Sequence, residues 1–280
     1  MAGRSVGVLH PGAMGVSIAE SMIDSGCEVH WASAERRSAT RKRAEQAGLH
    51  EFATIAEMCA RCSVIVNVCP PEFASVVARE VADAGYRGIF VDANAGAPHH
   101  KIELGREMDA AGMRFVDGGI IGLPSRTPGE TTLFMSGSAA DEAAGCFAKG
   151  AIGAVVLGPE VGRASALKIL FAAHNKGTIA LQTMLYAAAE QYGVLDELQH
   201  QFVHRGFSLA KIETAILRAA PKAWRWVEEM HEISTALEAV GMPGDFHEGS
   251  AKVYQRLREF KDKEGFSLAE VTKTLSENRD

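Results

Sequence analysis

The sequence predicts an α/β Rossmann fold, a doubly wound and mostly parallel sheet over residues 1–160, followed by an all-α domain over 161–280. Three observations carry this. Ser5–Ala32 reads as strand, glycine turn, helix and strand. Further short apolar runs, bounded by turn residues and too continuous for a half-exposed sheet, suit parallel strands covered on both faces. Beyond Gly162 the strand signal stops. At 280 residues the chain is long enough for two such domains.

Val6, Val8 and Leu9 form the first strand, His10-Pro11-Gly12-Ala13-Met14-Gly15 the turn, and Ile18, Met22 and Ile23 the apolar stripe of a helix that Gly26 stops. Val29-His30-Trp31 begins the second strand. Thr54-x-x-Glu57 is a capping box. Ser63–Val68 is a strand closed by Cys69-Pro70-Pro71, and Ile89–Asp92, Arg114–Asp117 and Thr131–Met135 are three more. Ser138-x-x-Asp141 is expected to cap a helix, and Ala154–Leu157 to be the last strand. Gly158–Gly162 punctuates the chain. Arg163–Tyr192 is then one long helical pattern, apolar on most sides and so expected to be buried all round. Trp226, Met230, Ile233, Leu237 and Val240 make one later helix face, and Val253, Leu257 and Phe260 another.

The apolar fraction of 47% and charged fraction of 23% are those of a globular chain. A net charge of −6 argues against a general nucleic-acid binder. Residues 164–189 carry Lys168, His174, Asn175 and Lys176 and are read as a buried helix, not a membrane span. Five cysteines and no room for a signal peptide point to a reduced, cytoplasmic protein. Cys59-x-x-Cys62 lacks a second ligand pair, so no metal site is expected.

A glycine where a strand meets a helix admits a pyrophosphate to the backbone, and the helix N-terminus offers free N–H groups and a positive dipole. His10, Pro11, Gly12, Ala13, Met14 and Gly15 are therefore cofactor candidates; the bland alternative is an ordinary tight turn. His10 stands where GxGxxG has its first glycine. At the end of the second strand an acid would bind the ribose 2′-hydroxyl, but Ser33 occupies that place and Arg36-Arg37 follow. Arginine forks match phosphate oxygens, which favours NADP over NAD; the alternative is a solvated helix start with Glu35 as a late ribose ligand. Cys69, Pro70 and Asn94 end strands at the same sheet edge and join the cofactor candidates. Asn94 and the segment Asp117–Gly122 are candidates for the substrate wall. Lys168 is costly in an apolar helix unless it faces a cleft or a partner, and Asn175 lies two turns on along the same face. As a residue, Lys168 reads equally as an acid/base or as a lysine snorkelling to the surface. Trp224 and Trp226 read as core, and His10, His174 and His231 form no nucleophile–histidine–acid set.

Four segments in order resemble the β-hydroxyacid dehydrogenase and 6-phosphogluconate dehydrogenase-like superfamily: His10–Gly15 its GLGxMG, Asp92–Pro98 its DxSTxxP, Phe115–Leu123 its FVDAPVSGG, and Ser165–Lys168 its lysine segment. The helical half looks like a branch with its own C-terminal domain type. The resemblance implies an NAD(P)-dependent oxidoreductase acting on CH–OH or C=O groups of a small molecule, with Lys168 as general acid/base, Asn175 as a substitute for the usual asparagine, and a homodimer. Where the family has substrate-binding serines this chain has Ile121, beside Gly122, and Asn94. Phe171 and Ala172 replace the expected asparagine, and the position of the family's KDL lysine on a later helix falls near Glu228. These departures point to a bulkier or less anionic carbonyl compound. An imine reductase and a non-catalytic NADP(H)-binding protein are the alternatives.

Overall fold

The computed structural model describes residues 3–277. The chain runs β1 (Ser5–Val8), α1 (Ala13–Asp24), β2 (Glu28–Ala32), α2 (Ser38–Gln46), β3 (His50–Phe52), α3 (Ile55–Arg61), β4 (Val64–Asn67), α4 (Ala74–Asp83), β5 (Ile89–Asp92), α5 (Pro98–Ala110), β6 (Arg114–Ile121), β7 (Thr131–Ser136), α6 (Ala140–Ala144) and β8 (Ile152–Val156). Helices follow: α7 (Arg163–Tyr192), α8 (Leu195–His204), α9 (Leu209–Ala219), α10 (Ala223–Glu238), α11 (Asp245–Arg256) and α12 (Leu268–Glu277).

The eight strands form one sheet in the order β3-β2-β1-β4-β5-β6-β7-β8. All neighbours are parallel except β6 and β7, which pair antiparallel from Asp117↔Ser136 to Ile121↔Thr132. Fully buried Val6, Val64, Ile89 and Val116 explain the continuous apolar runs. On one face they pack with Ile18 and Met22 of α1, and on the other Ile65 and Phe90 meet Met58, Val77 and Leu104 of α3, α4 and α5. Strand order reverses between β1 and β4, and in such sheets the crevice at that point is where ligands bind.

The chain divides into two compact units, Met1–Lys168 and Ile169–Asp280. The division falls inside α7, not at residue 160, because the first turns of that helix pack on β6. The second unit is helical and has its own core, with Tyr186, Ile216, Met230 and Tyr254 at its centre.

Thr54 accepts a hydrogen bond from the Glu57 N–H at 3.2 Å, as its capping box predicts. Ser138 caps nothing: α6 begins at Ala140, after Ala139, and has no side-chain cap. Gly118 and Gly119, expected beyond the end of a strand, lie inside β6. The long helix is not buried all round, for Leu170, Phe171 and Met184 are 52, 46 and 45% exposed. Trp224 is no core residue; it is 40% exposed, with the Lys261 ammonium 4.2 Å above its ring.

Candidate cofactor and active site

The turn from β1 to α1 is held by its own backbone, the Gly12 N–H donating to the His10 carbonyl at 2.7 Å and the Val16 N–H to the Gly12 carbonyl at 2.9 Å. A Cβ on Gly15 would overlap the His10 carbonyl oxygen, so only glycine lets the helix stand this close to the turn. At Gly12 a Cβ would point into open space. Helix α1 has no side-chain cap, and the N–H groups of its first turn, Ala13 and Met14 included, have no carbonyl partner within the helix. The Pro11 carbonyl accepts from Arg43 at 3.1 Å, which brings a guanidinium of α2 to the turn. Sequence reasoning missed Arg43, for nothing in a polar helix marks which arginine turns back.

Beside the turn lies a cleft of about 590 Å³, within the range of small-molecule sites. His10, Arg36, Ile55, Pro70, Phe73 and Val76 are among its walls. The Arg36 Nε and the His10 Nδ1 are both buried without a hydrogen-bond partner. Burial, with the Arg36 charge beside it, pushes the His10 imidazole down to about 4, so the ring is neutral at neutral pH. Ser33 is buried, and its carbonyl accepts from Arg41 at 2.7 Å while Arg41 also pairs with Glu51 at 3.1 Å. Arg37 is exposed, at the start of α2. Glu35 lines the cleft with a left-handed backbone, φ 57°.

Asn94 sits in a buried polar network at the ends of β4 and β5. Its Oδ1 accepts from the Cys69 N–H at 2.6 Å and its Nδ2 donates to the Asp92 carboxylate. Asn67 donates to the same carboxylate at 3.2 Å, and Lys101 of α5 pairs with its other oxygen at 2.6 Å. Lys101 and Asp92 are 3% and 0% exposed. The Asn94 amide thus joins the loops after β4 and β5, with both its ends engaged inside the protein. Lys101 went unread in the sequence, and Asp92 was read only as a strand end and the head of the DxSTxxP-like segment, since nothing in the text of a chain says that a helix lysine meets a strand-end aspartate.

Lys168 lies half-buried on α7. The strand beneath it leaves room: a Cβ on Gly119 would come within 2.6 Å of the Ala164 carbonyl and 3.3 Å of the Lys168 Cβ. Ile121 is the last residue of β6, and Gly122 follows with φ 129°. Asn175 is exposed on α7, as is Glu228 on α10. Lys176 is paired with Glu229 and lies 5.0 Å over the Trp226 ring. His174 is exposed and His231 is bound to Glu248 at 2.9 Å. Burial raises the Cys59 and Cys62 thiols to about 11 and about 12.

A glycine turn under an uncapped helix, a cleft at the strand-order reversal and two unpartnered polar groups in its wall define a nucleotide-binding Rossmann unit. Residues 5–158 match the NAD binding domain of 6-phosphogluconate dehydrogenase, and residues 189–257 match a domain of unknown function, DUF1932. The chain belongs to the 6-phosphogluconate dehydrogenase-like NAD(P)-binding family. It is 33% identical over 142 residues to an L-threonate dehydrogenase of Cupriavidus necator, a stretch covering 49% of this chain and 47% of that one. The chain thus spans about half the length of this curated relative. A conserved protein of unknown function, structurally similar to 3-hydroxyacid dehydrogenases, shares the fold with a TM-score of 0.74 at 24% identity, over 91% of this chain and 97% of its own. So does the 3-hydroxyisobutyrate dehydrogenase of Mycobacterium tuberculosis, with a TM-score of 0.74 at 17% identity, over 98% of this chain and 99% of its own. Among the described residues no helix is long and apolar enough to cross a membrane.

Proposed function

We propose that the protein is an NADP-dependent oxidoreductase acting on a carbonyl or secondary alcohol, with Lys168 as its general acid/base. The observation that carries the cofactor reading is the buried, unpartnered Arg36 Nε in a cleft whose ribose-acid position is Ser33. A 2′-phosphate fits that donor, and the residues to hold the rest of the cofactor are Gly12–Gly15 at the pyrophosphate and His10 and Pro70 along the cleft. A bound nicotinamide supplies the hydride chemistry. The Lys168 ammonium gives a proton to the carbonyl oxygen in reduction, and its amine takes one from the hydroxyl in oxidation. Ile121 and Phe171, apolar where relatives of this family carry polar ligands, favour a bulkier or less anionic carbonyl compound over a short hydroxy acid. Five unbridged cysteines suit a cytoplasmic protein.

Titration with NADPH and NADH, followed by fluorescence or calorimetry, tests the cofactor. NADPH should bind more tightly to the native chain. Arg36→Ala and Arg37→Ala should each weaken NADPH by about 1.5–3 kcal/mol, the worth of a hydrogen bond to a charged group, and leave NADH unchanged. Tighter NADH binding by the native chain would end this reading. Turnover with L-threonate and NADP, and of NADPH with cyclohexanone alone or with an amine, separates an alcohol dehydrogenase from an imine reductase. Binding of NADPH without turnover of any of them would favour a non-catalytic role.

We also infer a homodimer. Leu170, Phe171, Leu181, Met184 and Leu185 leave α7 with large apolar side chains exposed, more than a lone chain ordinarily shows on one helix. Light scattering at micromolar concentration should give twice the chain mass of 29.9 kDa. A stable monomer would remove the proposal.

A further inference from the structure

We propose that Asp117 is a positioning residue for Lys168, its buried carboxylate fixing the first turn of α7 on the sheet and so setting where the lysine side chain begins. The inference rests on the reading of Lys168 as the acid/base. One carboxylate oxygen, Oδ2, accepts from the Gly162 N–H at 3.1 Å, the Ser165 N–H at 2.9 Å, the Ser165 hydroxyl at 2.9 Å and the Ser136 hydroxyl at 3.3 Å. The Ser136 hydroxyl oxygen in turn accepts from the Ala164 N–H at 3.1 Å. Asp117, Ser136 and Ser165 are all buried.

A helix normally takes its N-terminal cap from the residue just before it, which ends the helix without placing it. Here the partners come from the middle of β6 and the end of β7, so the same bonds that satisfy the first N–H groups also tie the helix to the sheet. A carboxylate at the positive end of a helix is favoured by the dipole, and its hydrogen bonds are charge-assisted. Gly119 points to the same face of β6 as Asp117, since side chains alternate along a strand. Its missing Cβ allows the Ala164 carbonyl and the Lys168 Cβ to close in. Asp117 thus fixes the helix along its axis and Gly119 fixes its depth. Ser165, held twice by the carboxylate, stands one turn before Lys168 and on the same face. The other carboxylate oxygen, Oδ1, is buried with no partner. A half-satisfied buried charge is a costly way to gain stability alone. What it delivers is placement.

The test uses the full chain, as the native protein and as Asp117→Asn, Gly119→Ala and Val91→Ala. Hydrogen exchange of residues 162–168 and acetylation of Lys168 by acetic anhydride are followed by mass spectrometry, with NADPH titration beside them. Losing a charge-assisted bond at the first turn should speed both exchange and Lys168 acetylation by about tenfold in Asp117→Asn. Gly119→Ala should do likewise, because its Cβ must push α7 off the strand. The NADPH dissociation constant should stay within about twofold in both, the arginine and glycine cradle being separate from these groups. Val91→Ala removes core volume elsewhere in the sheet, so it should lower the melting temperature and leave Lys168 acetylation at the native rate. Native-rate acetylation in both Asp117→Asn and Gly119→Ala would overturn the proposal. If Asp117→Asn does not fold, Ser165→Ala, which deletes one of the four bonds, serves in its place. Native turnover in Lys168→Met would remove the acid/base reading yet leave the acetylation result, so the two failures are distinct.

Discussion

Replacing Lys168 with methionine is expected to lower kcat by about 10²–10⁴-fold, the usual worth of a positioned general acid. Methionine keeps most of the length and the apolar stem of the lysine and removes the ammonium, so the fold and the half-buried packing on α7 should survive. NADPH affinity should hardly move, because in the proposed binding mode Arg36, His10 and the glycine turn would hold the far end of the cofactor from the reacting carbon. Arginine at 168 should also be poor, since a guanidinium keeps its proton at any working pH. In the native enzyme the reductive rate should fall at alkaline pH as ammonium is lost, and the methionine variant should lack that limb. A lysine that merely snorkels predicts full activity in Lys168→Met with the substrate of the native enzyme, and that outcome would retire the assignment.

Lys101→Met is expected to cost about 3–5 kcal/mol of stability, because it strands the Asp92 carboxylate in the interior. The pair is nearly inaccessible to water and joined at 2.6 Å, with the Lys101 ammonium also donating to the Asp92 carbonyl at 3.0 Å. For a unit of this size the loss should lower the melting midpoint by about 10 °C or more. Asp92→Asn/Lys101→Met should be less unstable than the two single changes added together, since neither partner is then left charged and alone. Urea unfolding of the four proteins measures this. A loss below about 1 kcal/mol in Lys101→Met would mean that water reaches the pair, as for an exposed bridge. Because Asn94 bridges Asp92 to the Cys69 N–H, the same change should loosen the loops after β4 and β5.

The Rossmann unit was legible because its signals are local. A glycine turn between a strand and a helix, and apolar runs for β1, β4, β5 and β6, need no knowledge of distant residues. Strand β3 was missed because His50-Glu51-Phe52 has no apolar run; it forms at the sheet edge by pairing with β2. Helix α2 was read only as an alternative, a solvated helix start after Arg37, because Ala44 is its only buried residue and it shows no apolar stripe. Gly118-Gly119 reads as a loop in one dimension. In three it is a strand against which Ala93 and Ala164 approach. In the candidate site, Arg36 and the glycine turn were readable from composition at a known place in the motif. Lys101, Arg43 and the role of Asp117 depend on partners dozens of residues away or on another element, and no spacing encodes them.

The turn at Glu35 carries a consequence for laboratory evolution. A non-glycine residue at φ 57° costs about 1–2 kcal/mol, and here that residue also adds an acidic side chain to the lining of the cleft that Arg36 lines. Glycine at position 35 relaxes the backbone and removes the negative charge in a single codon change. If the cleft takes the 2′-phosphate as proposed, heat tolerance and affinity for that cofactor are selectable together at this position. A position-35 library screened only for survival at raised temperature should return clones that also hold NADPH more tightly, and clones with native affinity would show that the carboxylate never faced the phosphate.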